Sequence, residues 1–309
     1  VAQTTSVASA PSVSRSKAPT ASRTNWSAYL YLLPSLIFLA AFSLWPAIES
    51  IDQSLYRINL QSPDRAFLGL GNYVALFSQP LFWQVLGNTA LFSLATVPIS
   101  VVLALAFALL LNGKLSLLGL WRTALFYPTV LPMISGAAIW IFLYVPSYGL
   151  IDRVLTLLGG AEINWLGTGG LALPAVIVTT IWKQAGYYMI FFLAGLQGLS
   201  ADVLEASQLD GASYLRALRH IILPLLMPTT VFVTTIALVA SVQAVDQVYL
   251  MTQGGPDNAT NVVLYLLYQV AFSNWDTGQA AALTVLLMVA LFAISWLNYR
   301  SLDRYSHYE

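Results

Sequence analysis

The chain has 309 residues, 58% of them hydrophobic and only 8% charged, with zero formal net charge and a mean hydropathy of +0.73. Ordinary soluble domains carry about 25% charged residues, so this composition excludes such a domain and reads as an integral membrane protein. Zero net charge offers no global field for nucleic acid, and the lack of cysteine excludes disulfide frameworks and thiolate metal sites.

Residues 1–25, VAQTTSVASAPSVSRSKAPTASRTN, are rich in Ser, Thr, Ala and Pro. They lack the apolar core of a signal peptide, and the composition predicts a disordered cytoplasmic tail. Residues 26–309 read as one membrane domain. A membrane-crossing helix needs about 20 mostly apolar residues. Six stretches qualify: 28–48, 85–111, 119–144, 171–199, 225–250 and 278–299. The second opens on Asn88-Thr89-Ala90 and carries Pro98, and the third carries Pro128 and Pro132. Proline within a span removes a backbone hydrogen bond that neighbouring helices or water re-satisfy, so a packed bundle with irregular interior helices is expected.

Lys and Arg in short flanks set orientation. With the N-terminus inside, Arg15, Lys17, Arg23, Lys114, Arg122, Arg216, Arg219, Arg300 and Arg304 are cytoplasmic. Arg57, Arg65 and Arg153 are outside, and Lys183 lies within a span. Both termini are therefore expected on the cytoplasmic side. The outer loops are 49–84, 145–170 and 251–277. In the first, Phe67, Tyr73, Phe77, Phe82 and Trp83 suit a short helix at the interface. The last contains Thr252-Gln253-Gly254-Gly255-Pro256, a turn signal.

Residues 200–224 interrupt the apolar pattern on the cytoplasmic side. Ser200 suits the N-cap of a short helix that Gly211 ends, and Asp210 suits the cap of a second. In that second helix Tyr214, Leu215, Leu218, Ile221 and Ile222 share a face, expected towards the bundle. Ser213, Arg216, Arg219 and His220 lie largely opposite. Leu223-Pro224 is expected to end the helix, because the residue before proline avoids the helical region.

This stretch carries a resemblance. Glu205-Ala206-Ser207, then Gly211, then Ile221, Leu223 and Pro224 resemble the cytoplasmic signature of ABC importer permeases: E-A-A, three residues, G, nine residues, I-x-L-P. The spacing matches, and the departure is Ser207 for the second alanine. Leu70-Gly71-Asn72-Tyr73, Trp182-Lys183, Leu193-Ala194-Gly195-Leu196-Gln197 and Gly254-Gly255-Pro256 extend the likeness along most of the chain. Together they resemble the sugar-type branch, with its maltose-permease-like and glycerol-3-phosphate-permease-like subunits. The resemblance implies an all-α integral membrane protein of six transmembrane helices, the type I ABC importer permease fold with a cytoplasmic coupling helix, in a bacterial inner membrane. It implies docking of an ATPase through Glu205, Ala206, Ser207, Asp210, Gly211, Ile221, Leu223 and Pro224. The implied partners are a second permease subunit, an ATPase homodimer, an extracytoplasmic solute-binding protein and membrane lipid. The implied cargo is a sugar or a small polyol derivative such as glycerol 3-phosphate.

The chain holds no G-x-x-x-x-G-K-[ST], H-E-x-x-H or G-x-S-x-G motif. No cofactor, metal site or catalytic residue is expected on it, and ATP with Mg belongs on partner ATPase chains. Polar residues within spans are candidates for a solute route. Gln184, Tyr187 and Tyr188 fall at i, i+3 and i+4 in the fourth stretch, as do Gln243, Asp246 and Gln247 in the fifth. Amides, phenols and a carboxylate suit a hydroxylated solute. Lys183 and Asp246 could alternatively pair as a gate. An ion-gradient-driven secondary transporter is the alternative reading. It calls for inverted repeats and midplane acids, neither of which stands out here.

Overall fold

The structure, a computed structural model, describes residues 26–59, 62–113 and 116–303. The tail at 1–25, with Arg15, Lys17 and Arg23, lies outside these residues, as do Lys114 and Arg304. The chain divides into two compact units, Val1–Ile48 and Glu49–Glu309.

In the first unit, α1 (Trp26–Leu39) passes through a π-helical turn, Ala40–Leu44, into α2 (Trp45–Gln53), which enters the second unit. Side chains from Tyr31 to Leu44 are exposed. That is the expected surface of a helix whose solvent is lipid.

The second unit continues with a two-stranded antiparallel hairpin, β1 (Tyr56–Asn59) and β2 (Ser62–Phe67), pairing Tyr56 with Phe67. Then come α3 (Gly71–Ser78) and α4 (Pro80–Leu111), with proline in the first turn of α4, where its missing N–H costs nothing. Next are α5 (Leu118–Val130), α6 (Met133–Tyr144), α7 (Leu150–Leu157) and α8 (Gly169–Gln197). The cytoplasmic-signature segment forms α9 (Ala201–Leu209), α10 (Tyr214–Ala217) and α11 (Leu223–Leu225). The chain ends with α12 (Met227–Val242), α13 (Asp246–Met251), α14 (Val263–Tyr268) and α15 (Thr277–Asp303).

Among the described residues four helices are long and apolar enough to cross a membrane: Tyr31–Gln53, Pro80–Leu111, Gly169–Gln197 and Thr277–Asn298. Two bent pairs raise the number to six if each is one span: Leu118–Val130 with Met133–Tyr144, bent by 103°, and Tyr214–Leu225 with Met227–Val242, bent by 65°. The expected third span is thus broken. Its break falls at Leu131, whose ψ of 141° is the extended conformation forced on a residue before proline. Pro98 and Pro128 sit inside helices without breaking them.

The expected fifth span, 225–250, is shorter than the apolar run. Its helix stops at Val242, and Val245 has φ −131° before α13 begins. The segment 49–84, expected outside, also differs from the single interfacial helix expected there. Phe67 closes the hairpin, Tyr73 and Phe77 lie on α3, and Phe82 and Trp83 open α4. Asn72, buried, donates to the Ser54 and Tyr56 carbonyls at 2.7 and 2.9 Å and so fastens α3 to the hairpin.

The most extensive pairing is α4 with α8. Helices in lipid gain no hydrophobic drive from meeting, so close packing and polar links hold them together. Gly186 in α8 allows the close approach of α5, since a Cβ there would overlap the Leu125 carbonyl oxygen. Thr89, Thr96, Thr179 and Thr180 satisfy their hydroxyls on carbonyls one turn back in their own helices. Ser241 donates to Ser93 across α12 and α4 at 2.8 Å.

Candidate functional site

Two places gather the residues singled out by sequence. At the end of α8, Ser200 stands immediately before α9, and Gly211 ends that helix with φ +73°. The Ala212 N–H reaches the Ser207 carbonyl at 3.0 Å, and the Asp210 N–H reaches Ala206 at 3.0 Å. This is the glycine-terminated helix end whose left-handed residue frees the chain to turn. The next helix is preceded by Ser213, not capped by Asp210 as the sequence led one to expect, and no side-chain hydrogen bond caps it. Nor does it stop at Leu223-Pro224. A π-helical turn, Leu218–Ile222, absorbs the missing proline N–H, and the helix runs on to Leu225. It bends at Leu226 into α12.

The faces of this bracket also differ from expectation. Ile222 is buried, and Leu218 and Ile221 are half-buried, but Tyr214 and Leu215 are exposed. Leu209 is 89% exposed beside exposed Glu205, Ala206, Asp210 and Gly211. Ser207, the departure from the signature, is buried and lines a cavity of about 460 Å³ with Asn112, Ala212 and Tyr214. The substitution therefore faces the bundle and leaves the outer surface of the bracket unchanged.

The second place is a cavity of about 180 Å³. Two helix breaks converge on it. Met133 arrives immediately after the break in the third span, and Gln243, Ala244 and Val245 form the break between α12 and α13. Lys183 and Gln184 reach it from α8, and Asp246 and Gln247 from α13. Gln243, Asp246 and Gln247 do not share a helical face as the i, i+3, i+4 spacing predicts, because the helix between them is broken; the cavity unites them instead. Gln247 is buried and donates to Thr180 at 3.3 Å, whereas Gln243 and Asp246 are exposed. Lys183 and Asp246 line the same cavity but form no ion pair. Lys183 instead donates to the Thr129 carbonyl at 3.4 Å, and Thr129 returns a bond to the Lys183 carbonyl at 3.2 Å. That exchange ties α5 to α8 just before the break.

Tyr187 and Tyr188 do not line this cavity. Tyr188 is fully buried and donates to Gln184 Oε1 at 2.9 Å, which turns the Gln184 amide N–H groups away from Tyr188. Tyr187 is exposed and stacks edge-on against Phe191. Among the described residues no three His, Asp or Glu side chains gather to hold a metal ion.

One polar pair that fastens a loop was missed by the sequence reading. Asn88 and Gln84, at the start of α4, donate to the loop after α13. Asn88 reaches the Asn258 and Asn261 carbonyls at 2.8 and 3.0 Å, and Gln84 reaches Asp257 at 3.0 Å. Thr252 and Thr260 join hydroxyls at 2.7 Å within that loop. Gln253 and Gly254 both have positive φ there. A polar pair opening an apolar span was the available signal.

Broken helices around a polar cavity, joined to a bracket with an exposed tip, are features of a multi-pass transport permease. The family described as "Binding-protein-dependent transport system inner membrane component" matches residues 26–307, and the chain belongs to it. The trehalose/maltose transport system permease of Thermococcus litoralis is 33% identical over 271 residues, covering 87% of this chain and 92% of the relative. An sn-glycerol-3-phosphate transport system permease of Yersinia pestis is 32% identical over 286 residues, covering 92% and 97%. A chain of the bacterial alginate ABC transporter, solved with an alginate pentasaccharide-bound periplasmic protein, shares the fold with a TM-score of 0.80. It is 21% identical, and the match covers 92% of this chain and 96% of that one. This membership sets aside the ion-gradient-driven reading.

Proposed function

We propose that this chain forms one half of the membrane pathway of an ATP-driven importer for a sugar or a small polyol derivative such as glycerol 3-phosphate. The observation that carries this reading is the convergence of two helix breaks on a cavity lined by Lys183, Gln184, Gln243, Asp246 and Gln247. Irregular backbone at membrane depth is tolerated where it lines a cavity. Amides, an ammonium and a carboxylate match the hydroxyls of such a solute, and Lys183 accommodates a phosphate. Tyr188 positions the Gln184 amide. Tyr187, one turn nearer the bracket, continues the route. The relatives' named cargoes, maltose or trehalose and glycerol 3-phosphate, fall within this chemical class.

The bracket docks an ATPase homodimer that carries ATP and Mg. Its contact surface comprises Glu205, Ala206, Asp210 and Gly211, with Leu209, Tyr214 and Leu215 as apolar anchors. Ser207, Ile221 and Leu223 seat it on the bundle, and exposed Pro224 completes the ATPase-coupling set. A second permease completes the pathway, and an extracytoplasmic binding protein delivers the solute. Both termini face the cytoplasm.

Reconstitution with the partner chains tests the cavity. Asp246→Leu should assemble with the ATPase but lose solute-stimulated ATP hydrolysis, while Glu205→Lys should lose ATPase capture. Full solute stimulation in Asp246→Leu would remove the cavity from the route. Orientation is checked on the cysteine-free chain. A cysteine at Ser213 should react only from the cytoplasm, and one at Asn258 only from outside.

A further inference from the structure

We propose that α7 lies flat in the outer headgroup layer of the bilayer, its apolar stripe immersed, and anchors the mouth of the permease to lipid. Leu150, Val154, Leu157 and Leu158 fall at i, i+4, i+7 and i+8 and form one stripe. All four are exposed, Leu157 by 85% and Leu158 by 81%. The helix is turned the opposite way from one on a soluble protein. Its acid, Asp152, is buried on the inner side, with Ile151 and Leu155 partly covered beside it.

Asp152 fixes that rotation. Its carboxylate accepts the Ser147 N–H at 3.0 Å, the Ile163 N–H at 3.3 Å and the Trp165 indole N–H at 3.1 Å. The Ser147 hydroxyl closes the same loop on Glu162 at 2.8 Å. Trp165 packs on Tyr144, the last residue of α6, with ring centres 6.0 Å apart. The stripe therefore cannot roll inward without breaking a buried polar cluster.

Two observations name lipid as the occupant. The stripe continues an apolar surface already in the membrane: Phe142, in the last turn of α6, is exposed, and only residues 145–149 separate α6 from α7. The one exposed charge on α7 is Arg153, a cation suited to lipid phosphate, since its one acid is buried. Exposed Tyr148 beside it is an interface-type residue. Immersion of the stripe does not depend on which leaflet faces out, nor on the solute.

The test uses the complete complex in nanodiscs containing shallow doxyl-labelled phosphatidylcholine. Single cysteines at Val154, Leu157 and Thr156 carry an environment-sensitive fluorophore, with Leu158→Cys as a second stripe position should the Leu157 variant fail to insert. Stripe positions should be quenched about threefold more than Thr156, on the polar flank. Equal quenching at all positions overturns the proposal. So does quenching that disappears when the binding protein is added, which would assign the stripe to that protein.

Discussion

Replacing Gly211 isolates backbone conformation from every other effect. Its φ is +73°, and a Cβ built there meets no heavy atom within 4 Å. Any loss on Gly211→Ala is therefore conformational rather than steric. Placing an L-residue in the left-handed region costs roughly 1–2 kcal/mol, or about 5- to 30-fold in the population of the formed turn. Asparagine tolerates the region better than alanine, so Gly211→Asn should lie between. Proline fixes φ near about −65°, some 140° away, and should abolish the turn. ATPase capture and solute uptake should both rank Gly, Asn, Ala, Pro, with each variant still inserted in the membrane. An alanine variant that equals the parent, or exceeds asparagine, would refute the reasoning. So would a proline variant that transports at the parent rate.

At Gly186 the opposite term dominates: alanine would overlap the Leu125 carbonyl oxygen, and forcing α5 from α8 should cost about 1–3 kcal/mol or more, read as a lower melting temperature in detergent. Asn88→Ala removes both bonds to the Asn258 and Asn261 carbonyls, each worth about 1 kcal/mol, and should speed protease cleavage of the 252–262 loop. Asp152 is held below its ordinary carboxylate value of 3.8 by the Ser147 N–H, against burial, which raises it, and with further help from Trp165 and Ile163. Its stabilising contribution is therefore complete above that ordinary value and lost as pH falls through the lower folded value. Hydrogen exchange at the Ile163 amide should stay protected down to that range and then rise, while Asp152→Asn should weaken protection at neutral pH.

Membrane class, the apolar runs and the bracket were legible because they rest on local pattern. Gly211 was readable as a helix end since only glycine adopts its φ cheaply. The breaks were less legible. Pro98, Pro128, Pro132 and Pro224 look alike in sequence, yet only Pro132 coincides with a break, because a π-helical turn accommodates Pro224 and the other two keep helical neighbours. The break at Gln243–Val245 has no proline or glycine to announce it. Helical spacing thus placed Gln243 and Asp246 together for the wrong reason. Tyr214 and Leu215 were misassigned to the buried face because apolar periodicity cannot distinguish a bundle-facing side chain from one exposed on a lone chain. The hairpin of β1 and β2 escaped notice because a connecting segment rich in aromatics fits an interfacial helix equally well.

The second bent pair makes one rod of functional consequence. α12 spans Met227–Val242, 16 residues and therefore about 24 Å at 1.5 Å per residue. One end joins the bracket through the 65° bend at Leu226; the other ends at Gln243, on the wall of the polar cavity. A pivot of about 10° at the bend carries the far end by about 4 Å, more than the diameter of a water molecule. On the proposed docking, gear ratio is set by helix length: inserting or deleting a turn in α12 should change the stroke delivered to the cavity, and also the angle at which Gln243 arrives.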